Sequence, residues 1–571
     1  MNYNRVISSA LGKEKSDLVL KNAVYLNVFT DSFEKGDIAI TDGHIVGIGE
    51  YSGKEEIDLN GMYVVPSFID AHIHLESTML TVENFCKAVL KYGTTSVIID
   101  PHEIANVLGT EGISYILKSS KYKPMNVYVM LPSCVPATPW ETSGANLDAI
   151  DLLPFLDNPW VLGLAEVMNY PGVIMQDEVV IDKLKISEGR IIDGHCPSLS
   201  GKGLNAYISC HIYSDHECTT AEEALEKLKK GMHIFIREGT TSRNLLSLLP
   251  IVNEKTYHYT SFCSDDREPN TLIEEGHINS IIEKSIKHGI NPIWAYKMAS
   301  FNTARYFKLK NLGAIAPGYI ADLVVLENIE KVMPKYVIKN GKVIVSQGKL
   351  LYKFENEKIR NFPIRGSINI PWLKEEDFKI KGEGKKINVI GIIPNQIITK
   401  RLIEDAKIEN GFAVSDIERD ILKIVVIERH FASGRIGKGF VKGFKLKKGA
   451  IASSVAHDSH NLIVVGVSDS DILTAAIEIN KMQGGMCVVS EGKVLSRLPL
   501  PIAGLMSTEP VEVVAKQMKS LLNSARELGC ELPNPFLALS FLALPVIPEL
   551  KITDKGLFDV KTFSFCKLFE E

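Results

Sequence analysis

The strongest constraint on the fold is a rhythm. Between residues 66 and 315, apolar strand candidates alternate with helix-length stretches. The strands end near Asp70, Ile99, Leu131, Ala165, Gly194, Ser214, Ile236 and Cys263. Eight such units in about 250 residues have the size and periodicity of a (β/α)8 TIM barrel. A barrel of this kind gathers its chemistry at the C-terminal ends of the strands. The polar residues just past each strand are therefore the ones to weigh.

The flanks read differently. Residues 37–48 alternate around Asp42-Gly43, and residues 336–345 alternate around Asn340-Gly341. Both pairs suit two-residue hairpins, because both central positions of such a turn need positive φ. Residues 1–65 and 316–365 are expected to join as one small β-sandwich domain, with the barrel (66–315) inserted in it. The stretch 347–385 is rich in Lys, Glu, Pro and Gly and reads as a linker. From 386 to 571, strand candidates at 421–427 and 462–467 and helix candidates at 469–482 and 509–527 predict a separate C-terminal α/β domain. A length of 571 residues requires several domains in any case.

Composition excludes several classes of function. A net charge of -5 offers no attraction to nucleic acid or anionic membrane. No run approaches the roughly 20 apolar residues of a membrane span, and no apolar segment follows Met1-Asn2-Tyr3 to make a signal peptide. The 9 cysteines are scattered with no C-x-x-C, which supports neither a disulfide framework nor a zinc knuckle and fits a reducing compartment. The expectation is a cytoplasmic homo-oligomer acting on a small molecule, with no nucleic-acid or membrane partner.

His72 and His74 stand two apart at the end of the first strand. A strand repeats every two residues, so both imidazoles face one side and form half of a metal site. Such a pair also arises by chance. The partners decide: Glu166, His195, His216 and the pair Asp265-Asp266 fall at the ends of the fourth, fifth, sixth and eighth strands. Random placement rarely achieves that.

This set resembles the ligands of the amidohydrolase superfamily, and finer motifs resemble its bacterial adenine deaminase family. They are Leu131-Pro-Ser-Cys-Val-Pro, Ala165-Glu-Val-Met-Asn, Asp193-Gly-His-Cys-Pro, Ser214-Asp-His-Glu and Cys263-Ser-Asp-Asp-Arg. Ser454-Val-Ala-His-Asp-Ser-His-Asn and Met482-Gln-Gly-Gly resemble that family's extra domain. The resemblance covers nearly the whole chain. It implies hydrolysis of adenine to hypoxanthine and ammonia, for purine salvage, by a metal-activated hydroxide attacking C6. It further implies a binuclear divalent transition-metal centre with manganese preferred; the mixed N/O donors also admit iron or zinc. The expected ligands are His72, His74, Glu166 and Asp265 for one ion and Glu166, His195 and His216 for the other. Many related barrels carry a carbamylated lysine at the fourth strand. Glu166 stands there instead, and its two oxygens can bridge two cations. Asp265 is the expected proton carrier. Glu217 is the candidate acid for a ring nitrogen, with Glu103 behind it; the alternative is that Glu217 only orients a histidine.

Weaker candidates for substrate contact are His102, Glu103, Arg237 and Asp266. Each has a plainer reading: Asp100-Pro-His-Glu103 as a helix N-terminus, Arg237 as an ion-pair partner of Glu238. His457-Asp-Ser-His460 reads either as a polar loop or as a cap over the barrel mouth. Two rivals remain: a cyclic-amide hydrolase of the dihydropyrimidinase or dihydroorotase kind, which would need the missing lysine, and a non-catalytic binding protein of the same fold, which would have lost ligands.

Overall fold

The computed structural model describes residues 2–354, 364, 366–394 and 396–570. Strands Ser16–Asn27, Ser32–Thr41, His44–Gly49, Gly53–Asp58 and Tyr63–Pro66 form one sheet with the returning strands Leu323–Leu326, Pro334–Lys339, Lys342–Ser346 and Lys349–Leu350. The two chain segments meet where Tyr63–Pro66 pairs antiparallel with Leu323–Leu326, in the register Val65 to Val324. The sheet curls until His44 bridges Ile320. Asp42 and Gly43, at φ 49° and 76°, make the first hairpin, and Asn340 and Gly341, at 49° and 73°, make the second. These are the positive angles that an Asp-Gly or Asn-Gly turn supplies at low cost.

Eight strands then build the barrel: β1 (Phe68–Ile73), β2 (Thr94–Ile99), β3 (Asn126–Leu131), β4 (Val161–Val167), β5 (Ile191–Gly194), β6 (Ser214–Asp215), β7 (His233–Arg237) and β8 (Thr260–Cys263). β1 to β5 form one parallel ladder and β6 to β8 another. The Tyr213 N–H donates to Ile192 O across one seam (3.4 Å), and the Asp265 N–H donates to His72 O across the other (2.9 Å). Parallel strands are covered on both faces, which is why these segments are near-continuous apolar runs. Ile69, Ile98, Met130, Ala165, Phe235 and Cys263 are buried in one cluster contributed by six of the strands. Gly163 is required in β4, because a Cβ there would lie 1.8 Å from Ile191 O in β5.

The C-terminal domain is a second nine-stranded sheet. Its central strands are Ile421–Ile427, Leu462–Gly466, Ala450–Ser453 and Gly485–Ser490, and helices Asp469–Met482 and Val511–Glu527 pack against it. The stretch expected to be a linker contributes to the fold where it is described. Lys349–Leu350 extends the first sheet, Ile380–Lys381 pairs with Phe412–Ala413, and Ile364, Ile368, Leu373 and Phe378 are buried. Its polar composition hid these four apolar anchors. Residues 355–363 and 365 of that stretch lie outside the described residues.

This domain rests on the barrel's C-terminal face. Asn84 Nδ2 donates to the carbonyls of Thr508 and Glu509 (2.9 and 2.8 Å), Thr142 N–H and Oγ1 donate to Asp554 (2.8 and 2.6 Å), and Asn534 Nδ2 donates to both Glu268 oxygens. Among the described residues no helix is long and apolar enough to cross a membrane.

Candidate metal centre

The end of β1 delivers His72 and His74 to one side, with their Nε2 atoms 3.1 Å apart. His74 Nδ1 donates to Asp100 O (3.2 Å), which turns its Nε2 to the centre. Glu166, one residue from the end of β4, is buried and divides its carboxylate. Oε1 lies 3.3 Å from His74 Nε2 and 3.9 Å from His72 Nε2. Oε2 lies 2.6 Å from His195 Nδ1 and 3.1 Å from His216 Nε2. Asp265, just past β8, brings Oδ1 to 3.2 Å from His74 Nε2 and 3.8 Å from His72 Nε2. All six residues expected as ligands thus converge. Donor atoms of His72, His216 and Asp265, and those of Glu166, His195 and His216, lie within 4.8 Å of one another.

Neighbours hold this geometry. Asp215 Oδ1 accepts the Cys196 N–H (2.8 Å), and Oδ2 lies 3.0 Å from the buried Lys227 ammonium, which donates in turn to Cys196 O. One carboxylate thereby ties the segment of His195 to that of His216. Neither Asp215 nor Lys227 was picked out by sequence reasoning; Asp215 lies next to His216, but Lys227 lies a helix away. The Asp100-Pro-His-Glu103 stretch, legible from the sequence as possible support for the metal shell, brings Asp100 and His102 into a close group with His74 and Glu166.

Arg237, at the end of β7, is buried. Nη1 donates to Asp265 Oδ2 (2.7 Å) and Glu217 Oε1, Nη2 donates to Glu217 Oε2 (3.1 Å), and Nε donates to Asn244 Oδ1 (3.2 Å). Glu238, the partner considered from sequence, receives Lys284 instead (3.2 Å). Glu217 Oε1 stands 3.7 Å from His216 Nε2 and 3.9 Å from His195 Nδ1. Its side chain is 14% exposed, against 3% for Glu166, so it faces the opening. Asp266 accepts from Ser77 Oγ. His102 stands between the two domains, its Nδ1 3.6 Å from Glu166 Oε1 and its Nε2 3.6 Å from Glu103 Oε1, while Glu103 meets His457 and His460 of the C-terminal domain.

The electrostatics suit a cation. Burial alone would raise the Asp265 carboxyl, but the Arg237 charge and the His74 hydrogen bond hold it well below the usual range. Burial would lower His216, yet its hydrogen bond to Glu166 pushes it up to about 9. Burial and the neighbouring His216 charge push His72 well below its ordinary value. Buried carboxylates set against clustered imidazoles make a place where a divalent cation displaces protons on binding.

Residues 63–344 match the model of the amidohydrolase family, and residues 396–564 match that of the adenine deaminase C-terminal domain. Adenine deaminase 2 of Carboxydothermus hydrogenoformans is 48% identical over 98% of this chain and 98% of its own. Adenine deaminase of Desulfatibacillum aliphaticivorans is 48% identical over 99% of this chain and all of its own. Among solved structures, a beta-aspartyl dipeptidase from Fervidobacterium islandicum AW-1 matches at 18% identity and a TM-score of 0.46, covering 60% of this chain and 100% of that one. With near-half identity along almost its entire length, the chain belongs to the adenine deaminase family of amidohydrolases.

Proposed function

We infer that the chain hydrolyses adenine to hypoxanthine and ammonia at the centre around Glu166, as a cytoplasmic homo-oligomer in purine salvage. One observation carries the site: the two oxygens of Glu166 face two different histidine pairs. That donor set fits a pair of divalent cations, one held by His72, His74, Glu166 and Asp265 and the other by Glu166, His195 and His216. Mixed N/O donors without thiolate admit manganese, iron or zinc alike, and the resemblance to adenine deaminases is what favours manganese. Such ions supply hydroxide near neutrality by lowering the pKa of a bound water to about 7.

The chain's own groups do the rest. Asp265 Oδ1 faces the histidines while Oδ2 is fixed by Arg237, so Oδ1 is positioned to take the proton of the attacking water and return it towards the departing amine. Arg237 orients Asp265 and Glu217 together rather than reading the purine. Glu217, on the open side, carries the proton for a ring nitrogen. Asp266 borders a cavity of about 30 Å³ whose wall includes Ser77, Thr240, Glu268, His457 and Phe536. This is room for water and too little for a purine.

The direct test is ammonia release from a panel of purines and pyrimidines with Mn²⁺ added, run beside hydantoins. Adenine should be the substrate, activity should vanish with a chelator, and Mn²⁺ should restore it. Turnover of another compound with none on adenine overturns the reading. For Glu217→Gln, kcat should fall by about 10²–10⁴-fold, the range of general acid catalysis, with metal content unchanged. Near wild-type turnover would remove Glu217 from the acid role.

A further inference from the structure

A second set of donors lies between the barrel and the C-terminal domain. His102 and Glu103 come from the first turn of helix His102–Leu108, which follows β2. His457 and Asp458 come from the loop after strand Ala450–Ser453. All four are buried. Glu103 Oε1 is 2.7 Å from His457 Nδ1 and 3.6 Å from His102 Nε2. Asp458 Oδ1 is 4.0 Å from each of those two nitrogens. Tetrahedral bonds of about 2.0–2.1 Å place neighbouring donors roughly 3.3 Å apart, inside this spread.

The surroundings are those of a ligand shell. His102 Nδ1 pairs with Asp100 Oδ2 (3.1 Å), which leaves Nε2 as a lone pair aimed into the cluster; a carboxylate behind a histidine is the usual support of a metal-bound imidazole. The other oxygen of Glu103 accepts from His460 Nε2, and His460 Nδ1 accepts the Ala456 N–H (3.2 Å). His460 is therefore a supporting donor and not a ligand. Asp458 Oδ2 is fully buried with no hydrogen-bond partner among the described residues. A buried carboxylate oxygen left alone is costly, and a cation removes that cost.

We propose that His102, Glu103, His457 and Asp458 bind a divalent transition-metal ion, a third per chain, that staples the C-terminal domain to the barrel mouth. The two carboxylates balance its charge, and the two nitrogens select a transition metal over calcium or magnesium. Two ligands from each domain make the ion a condition of their contact, beside a cavity that borders the active site.

Crystals of the full chain grown with Mn²⁺, or separately with Zn²⁺, test this by anomalous scattering. The expected result is a peak bounded by these four donors, in addition to those around Glu166. A peak around Glu166 with none here overturns the proposal and leaves the active-site reading intact. No peak at either place overturns both. In solution, metal-saturated and desalted wild type should hold about three ions per chain, and the double variant His457→Asn, Asp458→Asn about two. An unchanged count overturns the proposal, and should the variant fail to fold, the wild-type map decides alone.

Discussion

Glu166→Gln should abolish adenine deamination, with a loss of at least about 10³-fold in kcat/KM and a fall in bound metal. The change keeps the shape of the side chain and removes its charge. Among the described residues Glu166 is the only group whose two oxygens address both histidine pairs, at 3.3 Å to His74 on one side and 2.6 Å to His195 on the other. An amide has one oxygen to offer, and its NH₂ presents hydrogens where a cation needs a lone pair. Weakening the hold on ions that would supply hydroxide near neutrality would forfeit several powers of ten in rate. Metal analysis must accompany the rate measurement. A variant that keeps both ions and most of its activity would refute the bridging role.

Arg237→Met should be the most destabilising substitution near the centre, at about 3–5 kcal/mol, the cost of leaving buried charge unpaired. Arg237 is 6% exposed and is shared by Asp265, also 6% exposed, and Glu217. Its removal leaves two carboxylates facing each other and the metal ligands. The urea midpoint reads this loss. Arg237→Lys should recover part of the stability but little activity, because a single ammonium cannot reproduce the fork that holds Glu217 by both oxygens. The pH profile gives an independent readout. Arg237 holds the Asp265 carboxyl below its ordinary range against the effect of burial. Without that charge the carboxyl pKa rises, Asp265 is protonated at a higher pH on acidification, and the acid limb of kcat/KM moves towards neutrality. An unmoved acid limb in a folded Arg237→Met enzyme would exclude this role for Arg237.

Much of the site was legible because a barrel converts sequence position into spatial position. Residues just past successive strands meet on one face, so His72, His74, Glu166, His195, His216 and Asp265 could be gathered from their places in the chain alone. The hairpins were legible for an equally local reason, the positive φ of Asp42-Gly43 and Asn340-Gly341. The supporting residues were not. Lys227 is a helical lysine like many others until the fold buries it against Asp215. Arg237 is offered Glu238 by the sequence, but neighbouring side chains along a strand point to opposite sides, and only the fold brings Glu217 and Asp265 to the side that Arg237 faces. The 347–385 stretch misled because a few apolar anchors among many polar residues leave no periodicity to read.

The sequence by itself determined the eight-unit rhythm, the donor types and their places at strand ends, since periodicity and side-chain chemistry are local properties of the chain. Only the tertiary structure decided how Glu166 divides its oxygens, which carboxylates share Arg237, and that a loop some 350 residues beyond Glu103 closes on it. Those are distances between side chains far apart in the chain, set by how the barrel closes and how the last domain docks, and no local pattern encodes them.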